Sequence, residues 1–236
     1  MSTIEKRLDN DCSKELMIED NKKTLEECEK YGCEYILIYK NYDITWNPDI
    51  ILTSERLLLR RLTYNDFDSL CKILQDEEVM YAYEHAFSDL EVREWLDKQL
   101  KRYEVDGVGL WAVILKETGE MIGQCGLTFQ DCEGKQVLEV GYLFQKSFWH
   151  KGYATEAAIA CKQYAFDVLK SEEVFSIIRD TNIASQAVAL RNEMAIKSKF
   201  TKHYYGVDMP YMVYSITKKD YFKKLEEKND DKTSRN

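Results

Sequence analysis

From about residue 53 onward the chain alternates between two hydrophobic periods. "RLLLRRL" (56–62) is a short apolar run between polar residues and predicts a strand. Thr63 and Asp66 have the spacing of a capping box, and Phe67, Leu70, Cys71 and Leu74 then recur at helical intervals. Ser88 and Glu91 repeat the box ahead of a second stripe, Val92, Trp95, Leu96, Leu100 and Tyr103. "LWAVILK", the turn "ETGE" and "MIGQCGLTF" predict a hairpin, with "VLEVGYLF" (137–144) as the next strand. A long helix follows, to about Lys170, with an inner face of Ala154, Ala157, Ala158, Cys161, Ala165 and Val168. Small residues there let a helix lie close to a sheet. "EVFSIIRD" (173–180) predicts a strand, "ASQAVALRNEM" (184–194) a short helix, and "KFTKHYYGVDMPYMVYSI" (199–216) two strands, before Thr217 and Asp220 open a last helix. The order is strand, two helices, three strands, helix, strand, helix, two strands. It predicts an α/β fold on a mixed sheet, with a ligand at the C-terminal end of the middle strand.

The flanks read differently. Residues 1–52 are expected to form an extension packed on a main domain, 53–225. The extension holds a charged helix in "ELMIEDNKKTLEECEKYG", stopped by Gly32, and a strand in "EYILIYK". Residues 226–236, "EEKNDDKTSRN", read as a solvated charged tail. A length of 236 residues, 44% of them hydrophobic, suits one domain with a real core. The net charge of -9 argues against nucleic acid as a partner and favours, by steering, a cationic substrate. Seven cysteines with no CxxC pair, and histidines only at 85, 150 and 203, predict reduced thiols and no metal site. The charged N-terminus has no signal-peptide core, and no apolar run reaches membrane-spanning length. A soluble cytoplasmic protein, monomer or homodimer, is expected.

"QKSFWHKGYATEA" (145–157) carries the first chemistry. It runs into a helix start, where N–H groups lack internal partners and carry partial positive charge. Gly152 and Ala154 leave the backbone approachable, so the stretch fits an anion site as well as an ordinary strand-to-helix turn.

Five segments taken in order, "TSERLLLRRLT", "GEMIGQCGL", "LEVGYLF", "FWHKGYATEA" and "TNIASQAVALRNEM", resemble the GNAT N-acetyltransferases, and most nearly their Rim-type ribosomal-protein subgroup. The resemblance spans about residues 53–217. It implies a mixed, mostly antiparallel central sheet, splayed at its middle and flanked by helices. It also implies acetyl-CoA as acetyl donor, with no metal, and a small-molecule amine or protein N-terminus as acceptor. By this resemblance, the backbone of His150, Lys151, Gly152, Tyr153, Ala154 and Thr155 cradles the pyrophosphate, with charge added by Lys146 and Lys151. His150 stands where the family usually has glycine. Leu143 and Phe144 hold the pantetheine arm with their backbone, and Asn182 contacts it. Glu139 matches the position that often supplies the general base, which an ammonium acceptor requires before it can attack. It reads equally as a structural glutamate paired in the sheet or facing water. Ser185 is a candidate acid for the departing thiolate and equally a candidate helix cap. The tyrosine common further along that helix is replaced by Ala189. Tyr81, Tyr83, Glu84, His85 and Tyr205 fall where family members build the acceptor pocket, or in the packed core. The alternative to an enzyme is a non-catalytic acyl-CoA-binding module.

Overall fold

The computed structural model describes residues 50–83, 85–204 and 207–233. The helix and strand expected before residue 50, Glu84 and Tyr205 lie outside the described residues. Eight strands form one open sheet in the order β1-β2-β3-β4-β5-β6-β8-β7. They are β1 (Ile50–Thr53), β2 (Leu57–Arg60), β3 (Leu110–Leu115), β4 (Met121–Cys132), β5 (Lys135–Phe144), β6 (Glu173–Arg179), β7 (Ala195–Tyr204) and β8 (Val207–Thr217). The helices are α1 (Phe67–Leu74), α2 (Asp89–Val105), α3 (Tyr153–Asp167), α4 (Ile183–Arg191) and α5 (Lys218–Thr233). Every strand pair is antiparallel except β5 with β6, which the crossover through α3 makes parallel.

The central strands are buried on both faces, as their apolar runs require; the first eight residues of β4 are all buried. Successive side chains of β4 point to opposite layers. Gln124 accepts a hydrogen bond from the Trp95 indole of α2 at 3.0 Å, and Cys125 meets Cys161 of α3 with sulfurs 3.5 Å apart. So α2 covers one face and α3 the other. Ala157, Ala158, Cys161 and Ala165 are fully buried, so the small-residue face does bring α3 down onto the sheet.

Several boundaries differ from the sequence reading. Among the described residues the first strand is Ile50–Thr53, which pairs with β2. β4 and β5 continue past the apolar runs to a two-residue hairpin at Glu133–Gly134, both with positive φ (55° and 79°). That geometry matches the twist of the flanking strands and fixes their register. Helix α3 stops at Asp167 rather than near Lys170. Lys170 takes φ 56° and turns the chain back, so Val168, expected on the inner face, is 57% exposed.

Both capping boxes form. Ser88 and Glu91 start α2 directly. Thr63 and Asp66 instead close a 3-10 turn, Tyr64–Asp66, that leads into α1. Asp66 is 5% exposed and takes two hydrogen bonds from the Arg60 guanidinium, at 2.8 and 2.7 Å, with a third from the Thr63 N–H at 2.8 Å. Burial pushes this carboxyl up, but the hydrogen bonds and the Arg60 charge outweigh it and hold the carboxyl below the usual range. The stability gained is therefore present above the ordinary aspartate pKa and is lost as pH falls through the depressed value. Asp66→Ala leaves Arg60 as a part-buried charge without this partner and is expected to cost about 3 kcal/mol. Denaturant unfolding at neutral pH measures the loss; a cost below about 0.5 kcal/mol contradicts it.

Candidate active site

The sheet comes apart where its one parallel pair begins. β5 and β6 share a single register pair, Glu139 with Phe175. Beyond it side chains span the opening. The Ser176 hydroxyl donates to the Val140 carbonyl at 3.1 Å, and the Ile177 N–H donates to a Glu139 carboxyl oxygen at 2.9 Å. Glu139 thus satisfies a backbone donor that the diverging strand leaves behind.

The fork opens on the α2 face into a cleft of about 510 Å³. Glu139, half-buried, faces this cleft. Desolvation raises its pKa to about 7, against the opposing pull of the Ile177 N–H and the charges of Lys202 and Arg102. A carboxylate in that state takes up and releases a proton near neutral pH. The same cleft gathers Leu143, Asn182, Ser185, Tyr83 and His85 from the sequence reading. Tyr83 keeps 38% of its surface, and burial pushes its hydroxyl pKa upward. These agree because the ring's open surface lies in a concave site. His85 is held by Glu91 of the α2 capping box, 2.8 Å away. Tyr81 stands outside the cleft but reaches it, donating to the Asn182 side-chain oxygen at 2.6 Å.

At the start of α4 the expected cap is displaced by three residues. Asn182 is the N-cap, its side-chain oxygen accepting from the Ser185 N–H at 3.0 Å. Both residue types suit a cap, but only the first residue of "NIAS" has the non-helical backbone a cap needs. The Ser185 hydroxyl is therefore not the cap; it lies beside the Tyr142 hydroxyl, with which it forms a side-chain hydrogen bond. The Ser185 carbonyl accepts from the Tyr142 hydroxyl at 2.9 Å, which ties α4 to β5 across the fork. Ala189 is 1% exposed in the core.

β5 leads directly into the 145–154 loop. Gly152 caps α3 with φ 84°, and His150 takes φ 59°. Left-handed geometry explains why glycine is usual at 150, and histidine is among the side chains that tolerate it best. It also revises the reason for Gly152. An added Cβ would meet only the Arg56 guanidinium at 3.4 Å, so the backbone angle, more than the space, demands glycine. The N–H groups of residues 150–155 have no hydrogen-bond acceptor among the described residues. These donors at a helix start, with the backbone left-handed at 150 and 152 and helical from 153, suit a phosphate.

Two expected members of this site are already engaged. Lys146 pairs with Glu78 at 2.6 Å. The Phe144 ring packs in the core and its carbonyl accepts from the Trp149 indole at 2.9 Å, which leaves only its N–H for a ligand. The sequence reading missed Arg56. It donates to the Lys151 carbonyl at 3.0 Å, pairs with Glu156 at 2.7 Å and lies 4.4 Å from the Tyr153 ring centroid. It thereby fixes the loop and neutralises the one carboxylate in the first turn of α3. Lys98, Arg102 and Lys202 on the cleft wall were missed as well. Among the described lining residues the one carboxylate is Glu139.

No helix among the described residues is long and apolar enough to cross a membrane, and no cluster of metal-ligating side chains occurs among them.

Comparison with known proteins agrees with this geometry. A family model described as an acetyltransferase (GNAT) domain matches residues 56–195. The uncharacterized protein YkkB of Bacillus subtilis is 36% identical over 144 residues, covering 61% of this chain and 84% of YkkB. The uncharacterized N-acetyltransferase p20 of Bacillus licheniformis is 28% identical over 176 residues, covering 72% of this chain and 97% of p20. The solved RimL, a ribosomal L7/L12 alpha-N-protein acetyltransferase in complex with coenzyme A, superposes with a TM-score of 0.60 at 20% identity, over 71% of this chain and 97% of its own. With its domain matched from β2 to the start of β7 and the forked sheet in place, this chain belongs to the GNAT acetyltransferase family.

Proposed function

We propose that this acetyltransferase moves an acetyl group from acetyl-CoA to a primary amine by direct attack of the amine on the thioester. One observation carries the reading. A single strand, β5, holds the perturbed carboxyl of Glu139 at the vertex of the fork and ends in the loop of unpaired N–H groups at 150–155. A coenzyme A bound with its pyrophosphate on that loop lays its arm along the free edge of β5, as an added strand. Backbone groups around Leu143 and the side chain of Asn182 meet the arm. The thioester then lies near Glu139.

Glu139 takes the proton that must leave the amine before or during attack, with its second carboxyl oxygen free while the first is held by Ile177. As the C–N bond forms and the C–S bond breaks, the Ser185 hydroxyl donates a hydrogen bond to the departing thiolate, which takes a proton from solvent and leaves as the free thiol, while Glu139 returns the amine's proton to solvent. No covalent enzyme intermediate is needed.

Gly152→Val should weaken coenzyme A binding more than about tenfold, or about 1.4 kcal/mol, because a β-branched residue cannot keep the left-handed cap. Calorimetry on the folded variant with unchanged affinity rejects the loop as the phosphate site. Glu139→Gln should lower turnover by roughly 10²–10⁴-fold and leave coenzyme A affinity nearly intact. In the parent enzyme kcat/KM should rise with pH through about 7 and then level off, since only the ionised carboxyl accepts a proton. Near-normal turnover of the variant, or a flat parent profile across that range, removes Glu139 as the base. Because Asn182 is the cap, Ser185→Ala should leave thermal stability nearly unchanged and lower turnover at least about tenfold. Full turnover at saturating substrates would leave the thiolate to solvent alone.

A further inference from the structure

The cleft holds more positive charge than its one described carboxylate balances. Helix α2 presents Trp95, Lys98 and Arg102 to it, a spacing that puts all three on one face. Lys98 and Arg102 are like charges four residues apart, an arrangement that destabilises a helix. Each has a carboxylate at ion-pair spacing on the same helix or its end: Glu94 before Lys98 and Asp106 after Arg102. Neither cation forms an ion pair among the described residues; Arg102 makes one long hydrogen bond, 3.3 Å, to Gln99. Across the cleft Lys202 of β7 lies 5.4 Å from the Tyr211 ring centroid and 5.5 Å from that of Phe200, with no carboxylate at ion-pair distance among the described residues. Burial lowers the pKa of Lys98 and of Arg102, so part of their hydration has been given up. Three cations thus line a cleft whose described wall has one carboxylate, and a ligand that brings further negative charge completes the balance. Arg102 and Lys202 line the same cleft as Glu139 and both act on its charge, so an anion held by them shares the cleft with a nitrogen placed on Glu139.

We propose that the acceptor is a small amine carrying its own carboxylate or phosphate, held by Lys98, Arg102 and Lys202 while its nitrogen is delivered to Glu139. The inference rests on the N-acetyltransferase reading and narrows its substrate class. Gln130 and Thr128, joined by a 3.0 Å hydrogen bond on the same wall, add neutral polar groups beside the anion. Charge of this kind selects by the difference between an oxyanion and its neutral counterpart, since a cationic pocket leaves its charges unpaired around the neutral one.

The test compares acetyl transfer to matched pairs: glutamate against glutamine, aspartate against asparagine, and phosphoethanolamine against ethanolamine. The parent should favour the more anionic member of at least one pair by about thirtyfold or more in kcat/KM, and the pair affected tells carboxylate from phosphate. In Lys98→Gln/Lys202→Gln, which changes two exposed side chains, that preference should fall at least about tenfold through KM. Coenzyme A affinity should stay as in the parent. Equal rates across every pair, or a preference that survives the double substitution, overturns the proposal and leaves the acetyltransferase reading standing. A parallel fall in coenzyme A affinity also overturns it, because the cations would then serve the cofactor. If no amine is acetylated, the N-acetyltransferase reading fails, and calorimetry of glutamate and phosphoethanolamine still decides this inference. Binding that weakens at least about tenfold in the double variant supports it; equal or absent binding contradicts it.

Discussion

Everything at the site follows from one break in a hydrogen-bonded ladder. β5 is fully paired with β4 along one edge but touches β6 at one register pair only. A strand cannot leave its neighbour without stranding backbone donors and acceptors, and buried ones must be answered. Glu139 and Ser176 answer the first of them, and Tyr142 reaches across to the α4 carbonyl that faces it. The rest of the β5 edge stays open beyond that register pair, and this is the edge along which the proposed coenzyme A arm is laid. The same divergence puts a carboxyl in a walled cleft, away from bulk water, where its pKa rises. One Glu139 oxygen holds the fork, and the second is the one assigned to the proton in the proposed mechanism.

The loop that follows β5 depends on a second constraint, the hand of the backbone. His150 and Gly152 both adopt positive φ, and the alternation aims successive N–H groups one way. Arg56 steadies this arrangement from β2 by holding the Lys151 carbonyl and Glu156. The anchoring residue lies about a hundred positions from the loop it anchors, in the first segment that resembled the family. Glu193, another left-handed residue, closes α4 with φ 64°. Its carbonyl accepts from Lys224, and Lys162 lies 3.5 Å from its carboxyl, so the surrounding structure holds the turn in place of glycine's freedom.

The sequence showed most of the sheet because central strands are buried on both faces and leave continuous apolar runs, as in β3 and β4. Capping boxes showed the starts of α1 and α2 because their spacing is local. What stayed hidden was either polar or distant. The Glu133–Gly134 hairpin lies in "QDCEGK", where the strands have left the core and no apolar alternation marks them. Asn182 and Ser185 both suit a cap, and only the backbone distinguishes them. Lys98 and Arg102 read as a solvated helix face, since nothing local shows that another wall, with Lys202 about a hundred residues later, stands opposite. The acidic net charge gave no sign of these cations, because a global sum says little about one concave site.

The central claim is that the open edge of β5 and the loop after it together form one coenzyme A slot. Amide hydrogen exchange measured with and without saturating coenzyme A tests it most directly. The account predicts slowed exchange in both segments, 140–143 on the strand and 150–155 at the helix start, with little change in the distant β1–β2 pair. Unchanged exchange in both segments while coenzyme A is bound would contradict it.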